Sequence, residues 1–243
     1  EAFMIPNRSF ATVRSVDIRV DPGELPWAEA RRAEVEAQWQ REKAANPHIF
    51  NGEVLLLSEV CFEDGRISGT AHVTRYANQL YWIRHGRQDT DVAHLFSAAV
   101  IVSSDGAVLL GRMADHTINA GQLYSPCGSL DRSDIVGDRV DVFANMAREV
   151  VEETGLDLAE AEAAPESLIY RADGLFALFR IYRFDRDAET LMAEIARHIA
   201  DDPKPELSGM VAVRGLDDLS EDIKPYMADY LRHYFGEPID RPM

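Results

Sequence analysis

Glu149, Glu152 and Glu153 bring three carboxylates together at spacings of three and four residues. At that spacing they are neighbours on a helix surface, and their like charges oppose the helix by a few tenths of a kcal/mol per pair. Gly155 supplies the left-handed residue that follows a helix C-cap, so Glu152 and Glu153 fall in the last turn. There the negative end of the helix dipole disfavours each by about 0.3–1 kcal/mol. A divalent cation would reverse both penalties, because it requires converging oxygen ligands. Clustered carboxylates with no histidine or thiolate beside them suit hard ions, Mg2+ or Mn2+ rather than zinc. A solvated acidic helix end is the plain alternative for an isolated Glu-Glu pair.

The full string Arg148-Glu149-Val150-Val151-Glu152-Glu153-Thr154-Gly155-Leu156 resembles the second half of the Nudix hydrolase signature, R-E-U-x-E-E-x-G-U with U aliphatic, at every specified position. Upstream, Tyr124-Ser125-Pro126-Cys127-Gly128-Ser129-Leu130-Asp131 is similar to the family's Pro-Gly-Gly loop, with Cys127 in place of the first glycine. Gly128 lies twenty residues before Arg148, six more than the family spacing. The surplus falls at about 131–137, and the family's isolated glutamate has no counterpart here. Counting from either side lands on Val140 or Asp134. Asp138 is expected to N-cap the helix, and Asp141 to be a first-turn acid.

The resemblance implies an α/β fold, the Nudix-type α/β/α sandwich around a mixed sheet. It also implies Mg2+- or Mn2+-dependent hydrolysis of the diphosphate linkage in a nucleoside diphosphate derivative, with nucleotide sugars among the candidates. Glu149, Glu152 and Glu153 would hold the metal, together with the backbone carbonyl of Cys127. One of the glutamates could instead deprotonate water, and the residue types leave those roles open. Arg148 is either an ordinary i,i+4 partner of Glu152 or, as in the family, the group that orients the glutamates. Family members often place a general base in a later loop, and Glu206 is the first choice, with Glu194 and Asp201 behind it. Taken alone, each of the three reads first as a solvated loop acid.

Arg112 can give a phosphate a bidentate contact or form a surface salt bridge. Arg75, Tyr76 and Arg84 are candidates to line a substrate cleft. No histidine is placed beside Cys127, so its thiol reads as a small loop residue rather than a nucleophile. The seven histidines show no metal-ligand spacing. The altered glycine loop motivates one alternative function, a non-catalytic Nudix-like nucleotide-binding or regulatory module.

The elements that must position these residues divide near residue 95. Before it, the patterning predicts a strand over 12–20, a helix over 26–45, a strand pair over 54–62 and 67–73 across Glu63-Asp64-Gly65, and a helix over 75–85. Residues 1–94 are thus an N-terminal α+β extension, suited to be a subdomain or a dimerisation arm. Residues 95–243 form the Nudix-like domain, with strands over 96–102, 107–110, 168–170, 175–184 and 209–213 and helices over 190–199 and 223–235. In the signature helix, Val142, Phe143, Met146 and Val150 recur at helical spacing and should face the core. Leu156 is expected to pack back on Val151.

The chain has 243 residues, 46% of them hydrophobic, and a net charge of −17. That charge argues against nucleic acid as a general partner and against an anionic membrane surface. The expected partners are a small nucleotide substrate and a second copy of the chain. Two cysteines give no disulfide framework and point to the cytoplasm. No apolar run reaches membrane-spanning length, and the opening residues lack the charge and apolar core of a secretion signal.

Overall fold

The structure, a computed structural model, describes residues 5–236. It has an α/β architecture whose described residues form two compact units. The first comprises Glu1–Phe96, Ser129–Val142 and Arg171–Ala177; the second comprises Ser97–Gly128, Phe143–Tyr170 and Leu178–Met243. No helix among the described residues is long and apolar enough to cross a membrane.

In the first unit, a five-stranded mixed sheet runs in the order Glu53–Glu63, Arg66–Arg75, Ser15–Asp21, Arg139–Val140, Ile135–Val136. The expected hairpin forms at Asp64-Gly65, where both residues take positive φ (48° and 78°), the backbone a tight two-residue turn demands. The expected strand over 12–20 is instead two strands, Ser9–Val13 and Ser15–Asp21. The amides of Arg14 and Ser15 both turn to the Gly65 carbonyl (2.7 and 3.3 Å), which breaks the ladder between them. The expected helix over 26–45 is likewise divided into Pro26–Ala30 and Arg32–Ala45. Arg31 leaves helical geometry (φ −114°, ψ 14°), and its guanidinium is held by Asp89 at 2.9 Å. The helix Tyr76–Arg84 stands where the periodicity predicts it.

The surplus loop residues also have a structure. Asp131 caps a short 3-10 turn over Arg132–Asp134 in a reciprocal capping box, and Ile135–Val136 pairs with Arg139–Val140 across Gly137 at φ 66°. The insertion is therefore a hairpin that adds two strands to the sheet of the first unit. Asp138 lies in its turn and does not cap the signature helix, which starts at Val142 directly after Asp141. Asp141 stands outside the first turn. Asp134 is buried and accepts the Asp131 amide at 2.9 Å, a structural use of the acid nearest the family's isolated glutamate.

In the second unit, residues 178–183, residues 97–102, Val108–Met113 and Leu207–Val213 are successive strands of a sheet. Successive strand side chains point to opposite faces, so Phe179 and Tyr182 look opposite ways. On the Tyr182 face, Met146 and Val150 of the helix Val142–Thr154 pack with Leu191 and Ile195 of the helix Ala188–Asp201. On the Phe179 face, Tyr230 of the helix Pro225–Tyr234 stacks at 4.3 Å. Val142, Met146 and Val150 are essentially inaccessible and Phe143 packs partly buried against the same core, as their spacing predicts. Leu156 is buried in that core with Val150, whereas Val151 is exposed. After the turn at Gly155 the chain carries Leu156 into the core that Val150 enters. Met146→Ala should cost about 2–5 kcal/mol, as for truncation of other buried long side chains. Urea unfolding followed by circular dichroism measures it.

Candidate functional site

The helix Val142–Thr154 buries one face, and this leaves its glutamates to meet the segment Leu123–Gly128 within the second unit. Glu153 is 7% exposed. The Cys127 amide donates to its carboxylate, while Oε2 is buried with no hydrogen-bond partner. Burial, and then the charges of Glu149, Glu206 and Glu152, hold this carboxyl well above its ordinary range. Each factor disfavours the ionised form.

Glu149 lies against Gly128 so closely that a Cβ there would sit 2.1 Å from its carboxyl carbon. Glycine is required at this position to admit the carboxylate. Arg148 Nη1 is 2.7 Å from Glu149 Oε1 and 3.2 Å from Glu152 Oε2. It is therefore both the i,i+4 partner of Glu152 and a bridge between two glutamates. Among the described residues, no three Asp, Glu, His or Cys side chains are gathered closely enough to hold a metal ion.

The helix ends as glycine allows. Gly155 takes φ 71° and its amide reaches the Val151 carbonyl at 2.9 Å. Thr154 Oγ1 donates to the Val150 carbonyl at 2.6 Å. His198, from the helix Ala188–Asp201, donates from Nε2 to the Glu152 carbonyl at 2.9 Å. A carbonyl only accepts, so Nε2 carries the proton. This histidine caps the end of the signature helix, and its sequence surroundings gave no sign of that role.

Around the carboxylates stands a shell of weak acids. The Cys127 sulfur lies 3.9 Å from Tyr226 Oη. Burial, then the Glu153 charge, pushes the thiol upward, so it is no thiolate nucleophile. Burial also raises the Tyr226 and Tyr124 phenols. Asn119 links Lys224 Nζ (2.8 Å) to Tyr124 Oη (3.1 Å). None of these four was marked by a motif, because tyrosines, asparagine and lysine at such separations share no pattern.

Glu206 is exposed, and its carbonyl accepts the Ala114 amide at 2.8 Å. Its charge is the second largest electrostatic contribution at Glu153, so the fold brings this acid toward the cluster. Glu194 is taken up by Arg186 at 2.6 Å, and Asp201 ends its helix exposed. Arg112 Nη1 donates to the Gly121 carbonyl at 2.9 Å and to Asp222 at 3.1 Å, the salt-bridge alternative for this residue. In the first unit, Arg84 pairs with Glu42 at 2.9 Å and Tyr76 packs beside Val35 and Trp39.

No family model matches the chain, and no curated protein matches it. Solved structures to which it is similar include three with the following likeness. A Nudix hydrolase from M. smegmatis, RenU, has 15% identity and a TM-score of 0.40 over 58% of this chain and 83% of that one. The MutT protein from Methanosarcina mazei Go1 has 20% identity and a TM-score of 0.39 over 58% and 92%. An Ap4A hydrolase from C. elegans has 17% identity and a TM-score of 0.37 over 57% and 94%.

Two outcomes follow from this geometry. Gly155→Ala should destabilise by about 1 kcal/mol or more, since alanine resists positive φ and its methyl would lie 2.7 Å from His198 Nδ1. Thermal melts of this variant, with and without His198→Ala, separate the strain from the clash. Glu153 binds its proton more tightly folded than unfolded. The stability it contributes is full below the ordinary value of 4.5 and is lost as pH rises through the folded value. In EDTA, the melting-temperature advantage of Glu153→Gln over the parent should therefore grow between about pH 5 and pH 8. An advantage independent of pH would contradict this.

Proposed function

We propose that this protein is a divalent-metal-dependent hydrolase that cleaves the diphosphate linkage of a nucleoside diphosphate derivative, with nucleotide sugars within the class. The observation that carries it is Glu153: a buried carboxyl with an unpartnered oxygen, crowded by Glu149 and Glu152 in a string that matches the Nudix signature from Arg148 to Leu156. Orphaned buried oxygen and a purely carboxylate donor set fit Mg2+ or Mn2+. Glu149, Glu152 and Glu153 would hold the ion, and the Cys127 carbonyl is the fourth candidate. When bound, the ion would supply charge neutralisation on the diphosphate and would make the attacking water more acidic.

The remaining work belongs to the chain. Gly128 keeps room for Glu149, and Arg148 holds Glu149 and Glu152 in register. Glu206 stands on the exposed side, where it can take a proton from the attacking water. The water oxygen bonds to one phosphorus, the anhydride P–O bond breaks, and the released oxygen leaves on the second phosphate. Arg112 would meet substrate phosphate only by exchanging Asp222 for it.

The altered glycine loop, with Cys127 in place of the first glycine and no isolated glutamate, motivates a second possibility, a Nudix-like module that binds nucleotide without turnover. A panel of nucleoside diphosphate derivatives with Mg2+, assayed for nucleoside monophosphate, separates them. Hydrolysis abolished by EDTA supports the enzyme, and binding without product supports the module. Glu152→Gln and Glu153→Gln should each lower turnover by about 100-fold or more, since even the outer partners of metal ligands are worth 10–100-fold. Gly128→Ala meets only the flexible end of Glu149, so it should melt within a few degrees of the parent yet lose comparable activity.

A further inference from the structure

A cleft of about 1020 Å³ is formed by the first unit alone. Its lining holds Arg31, Arg87, Arg171 and Asp89, all half-buried, and the exposed acids Asp21, Glu59, Asp91 and Asp173. Arg31 is already engaged by Asp89 at 2.9 Å.

Three lining side chains carry buried donors with no acceptor: Trp27 Nε1, Arg87 Nε and Arg171 Nε. Trp27 is 5% exposed. All three orphaned atoms are donors, and among the described residues no lining side chain has an orphaned acceptor. Buried polar groups are normally satisfied, so an unmatched set of one kind marks a missing partner of the other kind. Arg87 adds a backbone observation. It takes φ 54°, uncommon for a residue with a side chain, and is held there by its amide on the Trp82 carbonyl at 3.0 Å and its guanidinium over the Trp82 ring at 5.9 Å. Non-glycine residues held in that region cluster at ligand sites.

The geometry points to a binding site in this cleft for a small organic anion, a phosphate or carboxylate on a larger organic body, whose oxygens accept from Trp27, Arg87 and Arg171. Guanidinium groups suit both oxyanions. The cleft volume lies at the upper end of small-molecule sites, so the anion group occupies only the part of it lined by Trp27, Arg87 and Arg171.

Adenosine monophosphate and citrate, titrated separately in EDTA, test this by calorimetry and by tryptophan fluorescence, since Trp27 and Trp82 report from the cleft. Saturable one-to-one binding of either is the expected result. Binding of the nucleotide alone assigns phosphate, and binding of citrate alone assigns carboxylate. Arg87→Gln should weaken binding by about tenfold, the loss of one charge-assisted hydrogen bond. Trp27→Phe, which removes only the indole donor, should weaken it in the same direction and serves if Arg87→Gln fails to fold. The double variant Glu149→Gln/Glu153→Gln should bind as the parent does. Failure of both probes to bind overturns the proposal. So does binding that survives Arg87→Gln and Trp27→Phe, or that disappears in the double glutamate variant.

Discussion

A carboxyl group enclosed by protein, with two other carboxyls nearby, is the constraint on which the candidate site depends. Glu153 is removed from water by the apolar packing that anchors its helix, because Val150 and Met146 must reach the core. It thereby meets the Cys127 amide on one oxygen and nothing on the other. Burial and like charge both oppose ionisation. Arg148 offsets part of the repulsion at Glu149 and Glu152.

The fold supports this arrangement from several sides. Gly128 has no side chain to fill the space where the Glu149 carboxyl lies. Gly155 lets the helix stop abruptly, and His198 satisfies the carbonyl of Glu152 just before that stop. The weakly acidic groups alongside, Cys127, Tyr124 and Tyr226, are all held in their neutral forms. They add no further charge to a crowded place, and they keep it apolar enough that a bound cation would be felt strongly.

The sequence made the local parts of this site readable and hid the rest. Helical period, a glycine stop and the fixed string from Arg148 to Leu156 are short-range properties, and the structure has the helix where they put it. Its buried face was readable for the same reason. Long-range placement was not. Glu206 and Cys127 approach Glu153 only because distant strands pair, and His198 reaches Glu152 from another helix. The breaks at Arg14 and Arg31 coincide with contacts to a carbonyl and a carboxylate far along the chain, which local propensity does not register. Residues 131–137 looked like surplus loop; pairing with Arg139–Val140 makes them part of a sheet.

The central claim is that these carboxylates are crowded because a cation binds among them. Titration of the metal-free protein with Mn2+, followed by the loss of the free-ion electron paramagnetic resonance signal, tests it most directly. Saturable binding that is lost in Glu153→Gln and Glu149→Gln, both still folded, is the predicted result. No depletion of the free-ion signal, with or without a nucleoside diphosphate present, would contradict it.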